Sequence, residues 1–301
     1  MSQIENQAES KIVIMTGATA GLGALALKQI AASSKRVIVG SRGTPVKYGE
    51  YLPLNLSSLA SVRAFAAEVI KSLKSELIDV LVLNAGIGGD NTKQHTEDEF
   101  EITFAVNHLA HYLLARLLLP HMANKGRLII TTSDVHAQAP KTLDIASWSV
   151  SQAGDSPMKA YAASKLCNLL TARSLTSLDI IKEKQCQVIA YNPGLTIGTS
   201  LARNAPKWQQ SLMSNSLIHG LLGLFSHFIP MMYPGKPERA GEALAELTLN
   251  KATPPKGKVY ASLVRGIITY PAPSDLASSN QARDSLWQES EKMVGWQSNK
   301  A

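Results

Sequence analysis

The sequence predicts an α/β fold: a single-domain, doubly wound parallel sheet of six or seven strands with helices on both faces. Short apolar runs alternate with amphipathic stretches along most of the 301 residues, as in buried parallel strands joined by crossover helices. Several apolar runs end in turns that contain glycine. The composition, 45% hydrophobic and 18% charged, is typical of a globular chain. Ligands are therefore expected at the carboxyl ends of the strands.

The elements follow one another in a regular order. The strands are predicted at 11–17, 36–40, 50–55, 79–86, 126–133, 186–194 and, as a short final strand, 257–263. The helices are predicted at 22–33, 58–73, 97–122, 161–178 and 238–250. Strands two and three are joined by only about nine residues, which is too short for a full crossover helix.

The chain reads as one folded unit with two short ends. Neither a linker nor a repeat of fixed period divides it, so we predict one domain at 10–290, with a polar leader at 1–9 and a tail at 291–301. The leader, MSQIENQAE, lacks the apolar core of a signal peptide. We expect a substrate lid at about 195–235.

The longest apolar region, 216–234, is interrupted by His219, His227 and Pro230. It falls short of the roughly 18 uninterrupted apolar residues that a spanning helix needs. A lid, a surface helix with peripheral membrane contact and an oligomer interface all remain open for it. The oligomeric state, monomer or homo-oligomer, is also left open.

The charge and the cysteine content limit the expected partners and the expected cellular location of the protein. The net charge is +7, but the 30 basic residues are scattered, so we expect no nucleic-acid partner. An anionic cofactor accounts for the same charge. The two cysteines, Cys167 and Cys186, are too few to staple the domain, and we expect a reducing, cytoplasmic location.

A glycine pattern, TGATAGLG, runs from Thr16 to Gly23 between the first strand and the first helix. Glycines at 17, 21 and 23 allow a tight turn and close approach of the backbone to a pyrophosphate, which the helix N-terminus favours. An ordinary strand-to-helix turn is the alternative, so the prediction needs further motifs.

Four such motifs occur downstream: LNAG at 83–86, VNH at 106–108, YAASK at 161–165 and YNPG at 191–194. With TGxxxGxG, this series resembles the short-chain dehydrogenase/reductase family. FAVNHLAHYLL and SKLCN are most similar to its retinol-dehydrogenase and protochlorophyllide-reductase-like branch. The resemblance implies a Rossmann-type sheet and an oxidoreductase acting on CH–OH or C=O groups.

The resemblance also implies a cofactor site. Its expected residues are Gly17, Thr19, Gly21, Leu22, Gly23, Ser41, Arg42, Asn55, Leu56, Asn84, Ala85, Gly86, Tyr161, Lys165, Pro193, Gly194 and Thr196. The family's usual nicotinamide-binding threonine falls on Gly198 here, so either Thr196 or Thr199 is expected to make that contact.

The nucleotide is predicted to be NADP(H) rather than NAD(H). NAD-specific sites carry an acidic residue some 20 positions past the glycines, whereas an arginine accommodates the 2′-phosphate. Here Ser41 and Arg42 occupy that place, and the first carboxylate is Glu50. The alternative is that Arg42 is only a solvent-exposed residue of a loop and does not bind the nucleotide.

The resemblance makes Tyr161 and Lys165 the acid/base pair. Four residues apart on a helix, they share one face, and a nearby ammonium is expected to favour the phenolate. Ser133, at the end of GRLIITTS, matches the family's catalytic serine, with Thr131 and Thr132 as alternative hydroxyls. Asn107 is implied in a proton relay to Lys165 or serves as a buried structural amide.

No metal site is predicted, because His108, His111 and His136 have no carboxylate or cysteine at ligand spacing.

The expected substrate is a lipophilic small molecule, since 201–233 is rich in Met, Leu and Phe. Two other functions remain as alternatives: a nucleotide-binding regulator or scaffold without turnover, and a light-dependent pigment reductase, which rests on SKLCN and Cys167.

Overall fold

The computed structural model describes residues 11–43, 45–88, 94–141, 145–149, 156–196 and 233–296. In chain order the elements are β1 (Ile12–Thr16), α1 (Gly21–Ala32), β2 (Arg36–Ser41), β3 (Glu50–Pro53), α2 (Leu59–Leu73), β4 (Ile78–Leu83), α3 (Ile102–His121), β5 (Met122–Thr131), α4 (Ile145–Ser149), α5 (Pro157–Ser177), α6 (Asp179–Glu183), β6 (Gln187–Asn192), α7 (Pro237–Thr248), β7 (Tyr260–Val264), β8 (Ile267–Thr269), α8 (Asp275–Ser278) and α9 (Asn280–Met293).

The sheet has eight strands in the order β3-β2-β1-β4-β5-β6-β7-β8. Neighbouring strands are parallel from β3 to β7, which confirms the doubly wound α/β prediction. The predicted count of six or seven strands is corrected to eight, because β8 returns antiparallel beside β7. Arg265 and Gly266 both have positive φ angles, as a two-residue hairpin turn requires. A three-residue strand after such a turn is too short to show a pattern in the sequence.

Both faces of the sheet are covered. Alternate residues of β1 point to opposite faces: Ile12 and Ile14 pack in the core shared with α2, α3 and α5. Val13 and Met15 pack in the core shared with α1 and α7. Strand order reverses between β1 and β4, so the crevice for a ligand lies at the carboxyl ends of these strands.

Helix α3 differs from its predicted bounds. It begins at Ile102 rather than 97, because the Glu101 carboxylate accepts hydrogen bonds from the backbone N–H groups of Thr103 and Phe104 and caps the helix. Residues Ala105–Leu109 form a π-helical segment. By length and composition α3 could cross a membrane, but most of it is buried inside the domain, as expected of a core helix.

Several predicted regions lie outside the described residues. They include the leader at 1–9 and most of the expected lid at 195–235, of which 195, 196 and 233–235 are described. The two ends of that region meet, since the Gly235 N–H donates to the Leu195 carbonyl oxygen at 2.8 Å. Helix α9 continues to Met293, three residues into the tail predicted at 291–301.

Candidate active site

The glycine-rich turn between β1 and α1 is shaped by close backbone contacts. Gly17 and Gly21 have φ angles of 68° and 56°, which favour glycine. A Cβ added to Gly17 would lie 2.5 Å from the Ala85 Cα, and one added to Gly23 would lie 1.9 Å from the Gly17 carbonyl oxygen. Ala20, at the N-cap, provides no side-chain hydrogen bond to α1. The first N–H groups of the helix therefore suit an anion such as a pyrophosphate.

One hydroxyl ties this turn to the end of β4. The Thr16 Oγ1 accepts from the backbone N–H groups of Asn84 and Ala85 at 3.0 and 3.1 Å. It also lies 3.0 Å from Nε2 of His111. The Asn84 amide nitrogen donates to the Gly17 carbonyl oxygen at 2.8 Å. Asn84 therefore holds the backbone of the turn.

His111 has a defined protonation state. Its Nδ1 lies 3.1 Å from the Asn107 carbonyl oxygen, which can only accept, so Nδ1 carries the proton and Nε2 accepts from Thr16. Burial lowers the pKa of His111 to about 4, with a further lowering from the charge of Lys165. The neutral imidazole thus links β1 to the π-helical segment of α3. Sequence reasoning assigned no role to His111 or to the Thr16 side chain.

At the end of β2, Ser41 is half-buried and Arg42 is exposed. Next along the chain, the Gly43 N–H donates to the Tyr51 hydroxyl at 3.1 Å. No carboxylate precedes Glu50 on this stretch, and Glu50 is paired with Arg36 at 2.7 Å. This edge of the crevice is therefore positively charged.

Two predicted nucleotide residues follow β3. The Asn55 Oδ1 accepts from the Ser57 N–H and hydroxyl at 3.2 and 2.8 Å, so its oxygen closes a turn. Leu56 is buried in the core between the sheet and α2. In the glycine-rich turn Thr19 is exposed, whereas Leu22, on the first turn of α1, is buried in the core that α1 shares with α7.

The acid/base residues converge beyond β5. Tyr161 is half-buried on α5, and the Ser133 side chain is close enough to its phenol to lower the pKa of that phenol. The Lys165 Nζ lies 5.4 Å from the centroid of the Tyr161 ring and donates to the Thr131 carbonyl oxygen at 3.4 Å. Lys165 is 3% exposed. The structure thus brings together three of the four side chains that the sequence analysis placed in catalysis, and the fourth, Asn107, lies close to the lysine.

The prediction that Lys165 favours the Tyr161 phenolate is wrong for the cofactor-free protein. Burial raises the pKa of Tyr161 to about 12, and the hydrogen bond with Ser133 offsets only part of this effect. Burial also lowers the pKa of Lys165 to about 8, since one long hydrogen bond poorly compensates a buried ammonium. Desolvation therefore determines the direction of both pKa shifts, and Tyr161 is a proton donor at neutral pH.

The hydroxyls of the two preceding threonines form hydrogen bonds with groups other than Tyr161. The Thr131 Oγ1 donates to Asn84 Oδ1 at 3.0 Å, and the Thr132 Oγ1 donates to the Lys165 carbonyl oxygen at 2.7 Å. Both threonines are buried. Of the three hydroxyls, Ser133 is the one that affects the pKa of Tyr161.

Asn107 lies in the π-helical segment and is fully buried. Its Oδ1 accepts from the Ile87 N–H at 2.8 Å, and its Nδ2 donates to the Ile87 carbonyl oxygen and to Ser164 Oγ, both at 3.0 Å. A Cβ added to Gly86 would lie 3.3 Å from both Asn107 Oδ1 and Lys165 Nζ. The side chain therefore joins the end of β4 to α5 close to the lysine.

The last predicted cofactor residues follow β6. Gly194 has a φ of 73°, and an added Cβ would lie 2.7 Å from the Leu263 carbonyl oxygen. Pro193 is half-buried beside it. Thr196 pairs with Gly235 in an isolated parallel bridge, whereas Thr199 lies outside the described residues.

Comparison with known proteins agrees with this arrangement. A family model described as short chain dehydrogenase matches residues 11–210. Retinol dehydrogenase 13 from Homo sapiens is 28% identical over 95% of this chain and 85% of its own length. Protochlorophyllide reductase from Daucus carota is 29% identical over 94% of this chain and 78% of its own. Oxidoreductase calI from Penicillium decumbens is 29% identical over 65% of this chain, which spans only 61% of that relative.

Solved structures share the fold. A 3-ketoacyl-(acyl-carrier-protein) reductase from Brucella melitensis complexed with NADH has a TM-score of 0.60 and 22% identity, covering 86% of this chain and 99% of its own. A short chain dehydrogenase from Burkholderia cenocepacia in complex with NADP has a TM-score of 0.57 and 21% identity, covering 81% and 92%.

Proposed function

This chain belongs to the short chain dehydrogenase family, in the branch similar to retinol dehydrogenases, and we propose that it is an NADP(H)-dependent oxidoreductase. It transfers hydride between the nicotinamide and the carbonyl or alcohol carbon of a lipophilic small molecule. The observation that carries the proposal is the meeting of Ser133, Tyr161 and Lys165 at the carboxyl edge of the sheet, next to the crevice formed by the glycine-rich turn.

The cofactor supplies or accepts the hydride, and the side chains handle the proton and the charge. Reduction of a carbonyl develops negative charge on its oxygen, which needs a donor within hydrogen-bond reach. The Tyr161 phenol is protonated at neutral pH and gives its proton to that oxygen. The Ser133 hydroxyl, which lowers the pKa of the same phenol, donates to the oxygen and fixes its position. In the oxidation direction Tyr161 must first lose its proton, a step that the Lys165 ammonium favours.

The glycine-rich turn and Lys165 fit a bound dinucleotide. The uncapped N-terminus of α1 and the close approach of Gly17 to Ala85 leave a backbone surface suited to the pyrophosphate. Lys165 is buried with one long hydrogen bond, so ribose hydroxyls would complete its environment. Gly194 and Thr196 would border the nicotinamide, as the family resemblance implies.

The choice of NADP(H) rests on charge at the end of β2. A guanidinium binds a phosphate with paired, charge-assisted hydrogen bonds, whereas a carboxylate repels it. Arg42 is exposed at this edge, and Glu50 is already paired with Arg36. The relative from Burkholderia cenocepacia was solved with NADP and the one from Brucella melitensis with NADH, so the family accepts both nucleotides.

A lipophilic substrate is supported by apolar side chains near the site. Among the described residues, the exposed large hydrophobic side chains are few, and three of them lie next to predicted site residues or at the ends of the predicted lid. Met158 precedes Tyr161 by one helical turn, Leu195 follows Gly194, and Tyr233 is two residues before Gly235. We also propose a reducing, cytoplasmic setting, since Cys167 and Cys186 are both free thiols.

The two alternatives are weaker. A regulator without turnover has no chemical need for Ser133, Tyr161 and Lys165 to meet. The pigment-reductase interpretation rests on Cys167, which is buried in the core between the sheet and α5. Burial raises the pKa of that thiol far above its ordinary value, so it neither reaches a ligand nor donates a proton readily.

The proposal is tested by following NADPH absorbance with a panel of lipophilic aldehydes and ketones, in the dark, with Tyr161→Phe as the inactive control. We expect oxidation of NADPH by wild type, and faster turnover with NADPH than with NADH. Tight NADPH binding without oxidation across the panel would favour the regulator, and turnover only under illumination would favour the pigment reductase.

A further inference from the structure

A second histidine holds the backbone of the proposed catalytic serine. Ser133 caps a short 3₁₀ turn, Asp134–Gln138, and its carbonyl oxygen accepts two hydrogen bonds from His136. One comes from the backbone N–H at 3.0 Å and the other from the ring Nδ1 at 2.8 Å. His136 is 4% exposed, although it lies only three residues from the site. The ring is therefore attached to Ser133 itself rather than to the general core.

Both ring nitrogens of His136 are engaged, and their partners fix its tautomer. A carbonyl oxygen can only accept, so the Nδ1 that meets Ser133 carries the proton. The backbone N–H of Ser274 donates to Nε2 at 3.3 Å, so Nε2 must be unprotonated. Neither the other neutral tautomer nor the imidazolium satisfies both partners. Burial also lowers the pKa of His136, which keeps the ring neutral.

The anchor of this ring comes from the C-terminal third of the chain. Ser274 precedes α8, and Tyr260 on β7 packs its ring edge-on against His136, with centroids 5.4 Å apart. The Tyr260 hydroxyl donates to the Asp134 carboxylate, the residue next to Ser133. The side chains of His136 and Tyr260 thus hold two consecutive residues of the catalytic turn, Ser133 and Asp134. The Ser133 side chain in turn lowers the pKa of Tyr161.

We propose that His136 is a positioning residue: its imidazole, anchored by Ser274, holds the Ser133 backbone so that the serine hydroxyl faces the Tyr161 phenol. The inference rests on the proposed oxidoreductase function, because the role of His136 is expressed through Ser133. A hydroxyl that stabilises a developing charge must be held closely in place, and a small displacement of such a donor is costly. His136 touches neither the substrate oxygen nor the proton in this scheme.

Two amide substitutions separate the two ring nitrogens. In His136→Asn the side-chain amide reaches the place of Nδ1 and can still donate to the Ser133 carbonyl, whereas in His136→Gln it reaches the place of Nε2. We expect His136→Gln to lower kcat about tenfold and His136→Asn to lower it threefold or less, on the order of effects for a displaced hydrogen-bond donor. His121→Asn, at the opposite end of β5, is the matched control and should be unchanged.

A double-mutant cycle with Ser133→Ala shows through which residue His136 acts. If it positions Ser133, His136→Gln lowers kcat less than about twofold once the serine hydroxyl is gone, because coupled residues are non-additive. A tenfold loss in both backgrounds, or equal losses for the Asn and Gln variants, would overturn the proposal. The Kd for NADPH should stay within about twofold in all variants, as expected when the binding crevice is intact.

A readout independent of turnover comes from ¹⁵N-histidine NMR of the cofactor-free protein. The expected spectrum shows His136 as the neutral Nδ1–H tautomer at pH 7, assigned by the loss of its signals in His136→Asn; an Nε2–H tautomer or an imidazolium would overturn the proposal. Failure of the oxidoreductase function is distinguishable, since wild type would then bind NADPH without oxidising it. Failure of the positioning role leaves wild type active and the losses additive.

Discussion

The site has two halves, the cofactor half at the glycine-rich turn and the acid/base half beyond β5, and they differ in the kind of atoms that form them. At the end of β1 the surface for the cofactor is the backbone, and an added Cβ at Gly17 or Gly23 would collide with main-chain atoms. Beyond β5 the working surface consists of side chains. Ser133, Tyr161 and Lys165 come from two elements and are held by hydrogen bonds and burial.

This difference determines how each half can fail. The cofactor half depends on shape, so one added carbon should disturb both folding and nucleotide affinity. The acid/base half depends on particular atoms, so a substitution of similar shape should leave the fold and the nucleotide site intact while abolishing turnover. The comparison therefore predicts two separable classes of variant.

The largest effect is expected at Gly23. In Gly23→Ala the new Cβ would lie 1.9 Å from the Gly17 carbonyl oxygen and 2.6 Å from Asn84 Nδ2. Gly17 has no room to retreat, since it already packs against Ala85. We expect a loss of about 4 kcal/mol in the free energy of unfolding, on the order of the most severe steric substitutions, together with weaker NADPH binding. Urea denaturation and nucleotide titration measure the two losses.

Gly257→Ala is the matched control for Gly23→Ala. Gly257 has a φ of 81°, but nothing lies within 4 Å of an added Cβ. Its cost should be only about 1 to 2 kcal/mol, the strain of a left-handed alanine. Equal destabilisation by the two variants would mean that backbone conformation, rather than close packing of the turn, limits the cofactor half.

The next effect is in the other half. Tyr161→Phe removes one hydroxyl and keeps the ring, so kcat should fall by about 10² or more, the usual scale for a lost general acid. The melting temperature and the Kd for NADPH should change little. Tyr270→Phe, on a tyrosine remote from Ser133, is the control. Retained turnover in Tyr161→Phe would remove the phenol from the mechanism and end the distinction between the halves.

The sequence predicted these halves unequally. The strands and the glycine-rich turn repeat local patterns, and the parallel sheet is confirmed with its order reversing between β1 and β4. The three-residue strand β8 is too short to carry a periodic signal. Helix α9 was not predicted either, although its buried residues Ala282, Leu286 and Ser290 recur every four positions. The π-helical segment around Asn107 depends on contacts with Ile87 and Ser164, which no local pattern records.

Environment was the least predictable property of the site. Motif spacing brought Tyr161 and Lys165 together, but it gave the wrong direction for the pKa of the phenol. That pKa depends on how completely both groups are buried, which follows from packing by distant residues. The roles of His111 and His136 were missed for the same reason, since their partners Thr16 and Ser274 are far along the chain.

The burial of Lys165 has a measurable consequence in the cofactor-free protein. Its pKa, about 8 when folded, lies below the ordinary value of 10.5, so between these values the unfolded chain binds more protons. Folding is therefore penalised at neutral pH, and the penalty is relieved as the pH rises from 8 to 10.5. We expect Lys165→Met to be more stable than wild type at pH 7, with the difference shrinking by about 2 kcal/mol by pH 10.

Comparison with Lys165→Met is necessary because other groups titrate nearby. Tyr161, whose pKa is raised to about 12, makes the opposite contribution above pH 10, and it is present in both proteins. Lys125→Met, at an exposed lysine, is the control. A stability difference that is constant from pH 7 to 10 would mean that Lys165 is solvated in solution.

The smallest effect should arise where the cofactor half does depend on a side chain. Arg42→Ala is expected to weaken NADPH about tenfold, as for one exposed charge-assisted contact, and to leave NADH within about twofold. Fluorescence titrations with both nucleotides measure the ratio, with Lys125→Ala as the charge-matched control. Because Arg42 is exposed, the tenfold preference should also fall with added salt. Equal losses for the two nucleotides would overturn the NADP(H) assignment. They would mean that this edge of the crevice recognises the nucleotide through the shape of its backbone alone.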